Sequence, residues 1–598
     1  MTTAALPPSR ITLAPRISLA LVGLMVSLPF LNFHHSFPLP TFYTEWISFA
    51  LGTLALVALV FASREGGTRI PFLSLGLIAL AFVLVIQVAA GTIAYFERSL
   101  LGALYLVWAA LLVWLGAHLR EHLGLERVGL VLQAFVAAGG FLVAITGFMM
   151  YYQIDWAGFR LISGAGMDGM YGTIAQRNNF ANYLGCALAS VVFLFGRGRL
   201  SLPLATLLVV PLVLGLVLSI SRSAWIYVGI VFAAACWTYW LGDRGRLKPL
   251  AVFSSFVLVL FVGLNFVVAY FSWFPGTGAQ MLTLGERWVQ TVSSDQAELG
   301  LQIRVYLLKE AWTMFATHPV LGVGFGEFAS NLLEHGAGFD GRNPAMAINA
   351  HNVLLGLLAE NGLLGTLCVT VPLVLWLRAV PWSKPDLDAG WVLTIIAIES
   401  AHSMVEFPLW HANFLGLAAV VLGAVAQPAV KLRFSRFRQT ALTAVLAAGI
   451  ATLGGMLSDY RNFERWYRQA DASQRKGVPL SAAQLEDLAD QRATSLFAGY
   501  YDLLASELLI LDRDDLEAKV ELNTRVLRFI PIPTTVFRQA ILMSLEGDHE
   551  EAVRIFSRLA TIYPQTLRDF LKSLDRMAQD DPAAFGVLAA EAKRRYRP

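Results

Sequence analysis

The chain has 598 residues, of which 56% are hydrophobic and 15% are charged. Its mean hydropathy of +0.59 exceeds that of soluble globular proteins and is typical of proteins that cross a membrane several times. The formal net charge of +3 is small and the basic residues are scattered, which argues against nucleic-acid binding. The three cysteines lie in apolar runs without metal-ligand spacing, so we expect neither a disulfide framework nor a zinc site.

Long apolar runs dominate the first three quarters of the chain. A bilayer core of roughly 30 Å needs about 20 apolar residues per helix, and about thirteen such runs precede residue 458. The sequence therefore predicts an all-α polytopic membrane protein with about 12–13 transmembrane helices. The runs lie near residues 17–33, 46–62, 71–90, 100–117, 128–150, 178–195, 200–219, 223–241, 249–271, 351–377, 389–403, 410–427 and 439–457.

Basic residues alternate between the loops that join these runs. Lys and Arg collect in cytoplasmic loops, so their alternation predicts an odd number of spans with the N-terminus inside and the C-terminus outside. The predicted short outer loops contain only Arg98, Arg160, Arg177 and Arg222. The predicted inner loops contain Arg64, Arg69, Arg120, Arg127, Arg197, Arg199, Arg244, Arg246, Lys248, Arg378, Lys384, Lys431, Arg433, Arg436 and Arg438.

This topology divides the chain into four predicted domains. Residues 1–271 and 351–457 are transmembrane helices, whereas 272–350 form a large outer loop and 458–598 a soluble helical domain. Within the loop, the periodicity of 302–315 predicts a helix along the membrane surface. In the soluble domain, the pattern from Pro533 to Pro564 is that of one tetratricopeptide-type helix pair, although a plain helical bundle would give a similar pattern.

A histidine at the end of the large loop is a candidate base. His351 lies where the polar loop meets the next apolar run, and a neutral imidazole accepts a hydroxyl proton near neutral pH. The alternative is an interfacial histidine that caps the helix together with Asn352.

Two arginines are candidates for binding phosphate. Arg222 has almost no loop around it, and Arg304 lies in the large outer loop. Two fork-shaped guanidiniums suit a diphosphate and stabilise it as a leaving group without a metal. The alternatives are snorkelling of Arg222 to the lipid headgroups and a solvated helix face for Arg304.

Other polar residues are predicted at the same outer boundary. Gln176, Arg177 and Asn178 open one span, where they either cap the helix or line a cavity. His402 and Glu406 close another, as partners at i and i+4 if the helix continues that far, in a structural or a catalytic hydrogen bond.

Two further features concern loops and metals. The segment 322–326 carries three glycines but has no preceding strand, so we interpret it as a flexible turn and not as a dinucleotide site. No acidic pair near the polar residues of the outer face would hold a divalent metal. We therefore predict neither a metal nor another cofactor.

Several segments in this order resemble the O-antigen ligase and polymerase superfamily, and most closely its protein O-oligosaccharyltransferase branch of the pilin-glycosylase or PglL type. The stretch from His35 to Trp46 and the outer helical domain favour that branch over the shorter ligases. One departure is His411, where the resemblance leads us to expect an aromatic residue, usually Tyr. The matching segments are 172–179, 221–225, Arg304 with 310–312, 318–326, 349–352, 360–362 and 402–410.

The resemblance implies a multi-pass protein of the bacterial inner membrane with a periplasmic C-terminal domain. It implies metal-free transfer of a glycan from undecaprenyl diphosphate to a hydroxyl acceptor in the periplasm. By this resemblance His351 is the base, Arg222 and Arg304 bind the diphosphate, and His35 belongs to the binding residues.

The acceptor stays open at this point. It is a Ser or Thr of a pilin-like or other periplasmic protein, the lipid A-core of lipopolysaccharide, or a growing polymer. A repeat-like helical domain favours a protein acceptor, because such surfaces hold polypeptide well. A transporter of lipid or glycan is the alternative from another class.

Overall fold

A computed structural model describes residues 13–35, 37–60, 68–154, 169–271, 295–335, 346–383, 385–425, 428–432, 435–477 and 480–595. These described residues are 81% helical and form 22 helices, which confirms the prediction of an all-α polytopic membrane protein. Parts of the predicted outer loop, 272–294 and 336–345, lie outside the described residues, as do Arg64, Arg160, Lys384 and Arg433.

Every apolar run of the sequence coincides with a helix. Ten helices are long and apolar enough to cross a membrane, and α7 and α14 are shorter apolar helices. The helices up to the C-terminal domain are α1 (Leu13–Met25), α2 (Phe42–Val60), α3 (Phe72–Ala89), α4 (Phe96–Leu123), α5 (Leu125–Tyr151), α6 (Arg177–Gly196), α7 (Leu202–Leu218), α8 (Ser223–Leu241), α9 (Arg244–Phe271), α10 (Asp295–Thr317), α11 (Phe328–His335), α12 (Val353–Ala379), α13 (Leu387–Ser403), α14 (Ala412–Ala424) and α15 (Ser435–Lys476).

The structure divides into two compact units. Unit 1 comprises Met1–Ile78, Tyr105–Ser293 and Val369–Gly454, and unit 2 comprises Ala79–Leu104, Ser294–Cys368 and Gly455–Pro598. Helices α3, α4, α12 and α15 each have residues in both units. The last of these continues without a break from its apolar first half into the charged sequence beyond residue 458, where the sequence alone predicted a domain boundary.

Helix α6 lies at the centre of unit 1. Every residue from Asn179 to Leu194 is buried, and the helix packs against α5, α7, α8, α9 and α13. Small residues permit this crowding: a Cβ on Gly185 would lie 2.9 Å from Tyr227, and one on Gly140 would meet Ala187. Close approach of helix backbones at small residues is the usual way in which membrane helices pack.

Loops of unit 1 that the basic residues assign to one face contact one another. The strands β1 (Thr68–Pro71) and β2 (Ala429–Leu432) pair in antiparallel fashion, with Arg69 opposite Lys431. Arg197 forms ion pairs with Asp388 and Glu126. Each of these contacts joins two predicted inner loops. Loops that the alternation of basic residues assigns to the same side therefore lie together.

In unit 2 the glycine-rich segment 322–326 is tightly packed, so its interpretation as a flexible turn is wrong. The backbone N–H groups of Val323 and Gly324 donate to the carbonyl oxygens of Ala359 and Glu360, at 2.9 and 3.1 Å. Helix α12 is kinked at Gly362, which has φ +61°. The glycines are required because the two backbones nearly touch, and a Cβ on Gly362 would lie 2.3 Å from the Val320 oxygen.

The C-terminal part of unit 2 is a succession of short helices. The predicted pair is present as α19 and α20, joined by Gly547 with φ +95°, and Asp548 caps the second helix. Ala540 and Ala552 are fully buried between them, as expected for close helix packing. Its assignment to the tetratricopeptide class stays a prediction. The seven helices are α16 (Ala482–Thr494), α17 (Ala498–Leu508), α18 (Leu516–Phe529), α19 (Pro533–Glu546), α20 (His549–Ile562), α21 (Leu567–Asp580) and α22 (Pro582–Arg595).

Candidate functional site

A hydrogen-bonded polar cluster joins three elements at one edge of unit 1. The Asn178 side chain, in the first turn of α6, donates to Glu406 Oε1 over 2.8 Å. Its own oxygen accepts from Ser221 Oγ at 2.9 Å, in the short connection between α7 and α8. The structure therefore brings together Asn178, Glu406 and the residue that precedes Arg222.

His402 is fully buried beside this cluster. Its Nδ1 lies 2.6 Å from the Tyr227 hydroxyl and its Nε2 lies 3.0 Å from Asn179 Oδ1. The hydroxyl therefore donates to Nδ1, and Nε2–H donates to the amide oxygen. Helix α13 ends at Ser403, and just beyond it the Glu406 N–H donates to the His402 carbonyl oxygen over 2.8 Å, while the Glu406 side chain accepts from Asn178.

Gln176, Arg177 and His35 have different local surroundings. Gln176 is the N-cap of α6, and its side chain accepts from the Asn179 N–H. Arg177 is the first residue of α6 and is exposed. Both ring nitrogens of His35 face backbone oxygens, with Nδ1 at 3.0 Å from Pro40 and Nε2 at 2.6 Å from Thr173. Gln176 and His35 thus hold the backbone that leads into α6.

Arg222 is exposed at the start of α8. In the part of the chain that the structure describes, its guanidinium makes no hydrogen bond or ion pair. Its backbone is fixed by neighbours: Ser221 N–H donates to Ser219 Oγ at 3.2 Å, and Ile220 has φ +57°. A cation without a counter-ion on an ordered turn is well suited to an anionic ligand.

The structure adds one pair that the sequence did not predict, Glu45 and His411. His411 Nδ1 lies 3.0 Å from Glu45 Oε1, and the other carboxylate oxygen accepts from Ala412 N–H and Tyr105 O–H. Glu45 is buried and 366 positions from His411. The only signal in the sequence was the unusual histidine at position 411.

Arg304 is an exposed residue of α10, in unit 2. Leu307 and Ala311, three and seven residues after Arg304 on this helix, are buried in an apolar cluster that includes Ala350 and Ala359. Burial, together with the nearby Glu310, raises the pKa of Tyr306 to about 12, so its hydroxyl stays neutral at physiological pH. The sequence prediction of a helix over 302–315 is confirmed.

His351 occupies a left-handed backbone conformation directly before α12. Its φ is +50°, which is uncommon for a residue other than glycine. Asn349 Oδ1 accepts from the His351 N–H at 3.0 Å and stabilises this turn. Asn352 is the cap, since its Oδ1 accepts from Leu354 and Leu355 N–H. The capping function therefore belongs to Asn352, and His351 is positioned by the turn.

The structure places the predicted catalytic residues in both units. Arg222 belongs to unit 1, and Arg304 and His351 belong to unit 2, where Ala350 and α10 share one apolar cluster. Their action at one catalytic site stays a prediction from the sequence. Among the described residues, no three His, Cys, Asp or Glu side chains form a group that could hold a metal ion.

Two known protein families match parts of this chain. A family described as O-antigen ligase matches residues 204–370, which include Arg222, Arg304 and His351. A second family, described as virulence factor membrane-bound polymerase, C-terminal, matches residues 390–574. The chain is therefore similar to both families over these ranges, and the resemblance seen in its sequence is confirmed.

A curated relative lies in the oligosaccharyltransferase branch. The general O-oligosaccharyltransferase of Acinetobacter baylyi (strain ATCC 33305 / BD413 / ADP1) is 25% identical to this chain over 459 residues. The similarity covers 75% of this chain and 76% of that protein. It therefore extends over much of both proteins and is not confined to one motif.

Proposed function

We propose that the protein is an O-oligosaccharyltransferase that moves a glycan from undecaprenyl diphosphate to a Ser or Thr hydroxyl of a periplasmic protein. The observation that carries the proposal is the exposed Arg222 guanidinium, which has no partner among the described residues and lies on a turn anchored by the Asn178–Ser221 hydrogen bond. An anionic group is the ligand that such a cation stabilises. The similarity to a general O-oligosaccharyltransferase supports glycan transfer as the reaction.

Each predicted residue has one step in this mechanism. Arg222 and Arg304 bind the diphosphate and stabilise the negative charge that develops on it as it leaves. His351 accepts the proton of the acceptor hydroxyl, whose oxygen attacks the anomeric carbon. The bond from that carbon to the diphosphate oxygen breaks, and the new glycosidic bond forms. The protein acts in the inner membrane with its N-terminus in the cytoplasm and this chemistry on the periplasmic side.

The experiment uses purified protein in detergent with a polyprenyl-diphosphate glycan and a Ser/Thr-containing acceptor protein. Mass spectrometry should detect the glycan on the acceptor, and Arg222→Ala, Arg304→Ala and His351→Ala should each lose transfer by 100-fold or more, on the order expected for charge stabilisation and base catalysis. Arg246→Ala is the matched control, because Arg246 is exposed at the first turn of α9. Full activity in all three variants would contradict the mechanism.

Two further acceptors follow from the family matches. The O-antigen ligase match favours the lipid A-core, and the polymerase match favours a growing glycan. The same assay with lipid A-core, or with donor alone, distinguishes them: glycosylated lipid identifies a ligase and donor-linked polymer a polymerase. A transporter would form no new glycoside with any of the three.

A further inference from the structure

The Glu45–His411 pair belongs to the same edge of unit 1 as Arg222. Glu406, which accepts from Asn178, is five residues before His411, and Asn178 in turn accepts from Ser221. The path from His411 to Arg222 therefore runs along segment 406–411, through the Asn178–Glu406 and Ser221–Asn178 hydrogen bonds, and from Ser221 to its neighbour Arg222. Neither Glu45 nor His411 has a function in the mechanism above.

Glu45 fixes the proton arrangement of His411. One Glu45 carboxyl oxygen lies 3.0 Å from His411 Nδ1, and the other accepts from Ala412 N–H and from Tyr105 O–H at 3.3 Å. Nδ1 must carry a hydrogen in order to donate to the first oxygen. The neutral ring then has its lone pair on Nε2, as in other carboxylate–imidazole dyads.

The Nε2 atom is available to a ligand. Among the described residues it has no hydrogen-bond partner, and 23% of the His411 side chain is exposed. The preceding residue, Trp410, is 46% exposed and offers an aromatic surface beside it. A lone-pair acceptor next to an aromatic ring suits a hydroxyl-rich ligand better than a phosphate, whose oxygens are themselves acceptors.

We propose that His411 Nε2 accepts a hydrogen bond from a substrate hydroxyl during glycan transfer, with Glu45 as its positioning residue. This inference rests on the proposed function. The hydroxyl comes either from a sugar of the lipid-linked donor or from the acceptor. No bond is made or broken at His411, which binds and orients the hydroxyl.

Two isosteric variants of His411 distinguish hydroxyl binding at Nε2 from a purely structural contact with Glu45. His411→Asn places an amide nitrogen near the position of Nδ1, so it keeps the contact with Glu45 and lacks Nε2. His411→Gln places its amide oxygen near the position of Nε2 and loses the Glu45 contact. We expect His411→Asn to reduce kcat/KM about tenfold, the usual effect of one hydrogen bond, and His411→Gln to retain more activity than His411→Asn.

Glu45→Gln tests the positioning role. Its amide oxygen still accepts from Ala412 N–H and Tyr105 O–H, which leaves the NH₂ group facing His411. Nδ1 then becomes the acceptor and Nε2 carries the hydrogen, so Nε2 no longer accepts from a hydroxyl. We expect a loss similar to that of His411→Asn, and a double variant no worse than either single variant, since both remove the same interaction.

The measurement is steady-state transfer with a polyprenyl-diphosphate glycan and an acceptor peptide, together with thermal unfolding of each variant in detergent. A raised KM for the donor identifies a donor sugar hydroxyl, and a raised KM for the peptide identifies the acceptor hydroxyl. His122→Asn, an exposed histidine near the end of α4, is the control. The inference would be overturned if His411→Asn transferred glycan as fast as the wild-type protein. It would also be overturned if His411→Asn were more active than His411→Gln. Absence of transfer by the wild-type protein would instead overturn the proposed function, and this inference with it.

Discussion

Asn178 and Glu406 lie 228 positions apart in the chain, and the amide of the first donates to the carboxylate of the second over 2.8 Å. The bond holds the segment after α13 against the first turn of α6. The Ser221 hydroxyl donates to the same Asn178 side chain, so this amide also orders the turn that carries Arg222.

Loss of this carboxylate should affect both stability and activity. Glu406→Ala removes a charge-assisted hydrogen bond, which contributes about 1.5–3 kcal/mol, and releases Asn178. We expect a lower unfolding temperature in detergent and a reduced rate of glycan transfer. Glu406→Gln, which keeps an acceptor oxygen, should show a smaller change in both. If Glu406→Ala and Glu406→Gln lowered the unfolding temperature and the transfer rate equally, the contact with Asn178 would not be the cause of the loss.

The Nδ1 atom of the buried His402 receives its hydrogen bond from the Tyr227 hydroxyl. Tyr227→Phe leaves Nδ1 of His402 buried without its donor at 2.6 Å, and we expect a destabilisation of about 1–3 kcal/mol. Tyr239→Phe is the matched control on the same helix, where the Tyr239 ring lies edge-on to Trp240 at 5.8 Å between centroids. Chemical unfolding in detergent measures both. Equal stability of the two variants would contradict the hydrogen-bond arrangement derived for His402.

The kink of α12 requires a glycine. In Gly362→Ala the new Cβ would lie 2.3 Å from the Val320 oxygen, at a φ of +61° that L-residues rarely adopt. We expect a destabilisation of more than about 3 kcal/mol, or failure to accumulate in the membrane. Gly356→Ala on the same helix meets no atom within 4 Å and should be neutral or stabilising by up to about 1 kcal/mol. Normal accumulation of Gly362→Ala would refute this packing.

The left-handed backbone of His351 predicts that two substitutions at this position differ in stability and not in activity. His351→Gly and His351→Ala both remove the imidazole, so both should be inactive in glycan transfer. Glycine adopts φ +50° without strain, whereas alanine does so at a cost of about 1 kcal/mol. The glycine variant should therefore unfold at the higher temperature. An alanine variant as stable as the glycine variant would show that the left-handed conformation is not retained.

The sequence by itself determined the membrane class, the positions of the helices and most of the candidate residues. Apolar runs are local, so hydropathy locates α1 to α9 and α12 to α15 without knowledge of their partners. The alternation of basic residues likewise predicted which loops lie together, and the pairing of Arg69 with Lys431 agrees with it. The signature segments around Arg222, Arg304 and His351 were sufficient to recognise the superfamily.

Only the tertiary structure decided the partners of these residues. The Glu406 side chain accepts from Asn178, whereas its backbone N–H donates to the His402 carbonyl oxygen just beyond the end of α13 at Ser403, and no periodicity marks that end. Segment 322–326 is rigid because its glycines meet another backbone, which the sequence does not indicate. In the sequence Glu45 is a single acidic residue at the start of an apolar run, and only the fold shows its contact with His411. Hydrogen bonds between distant segments depend on packing geometry, which local patterns do not encode.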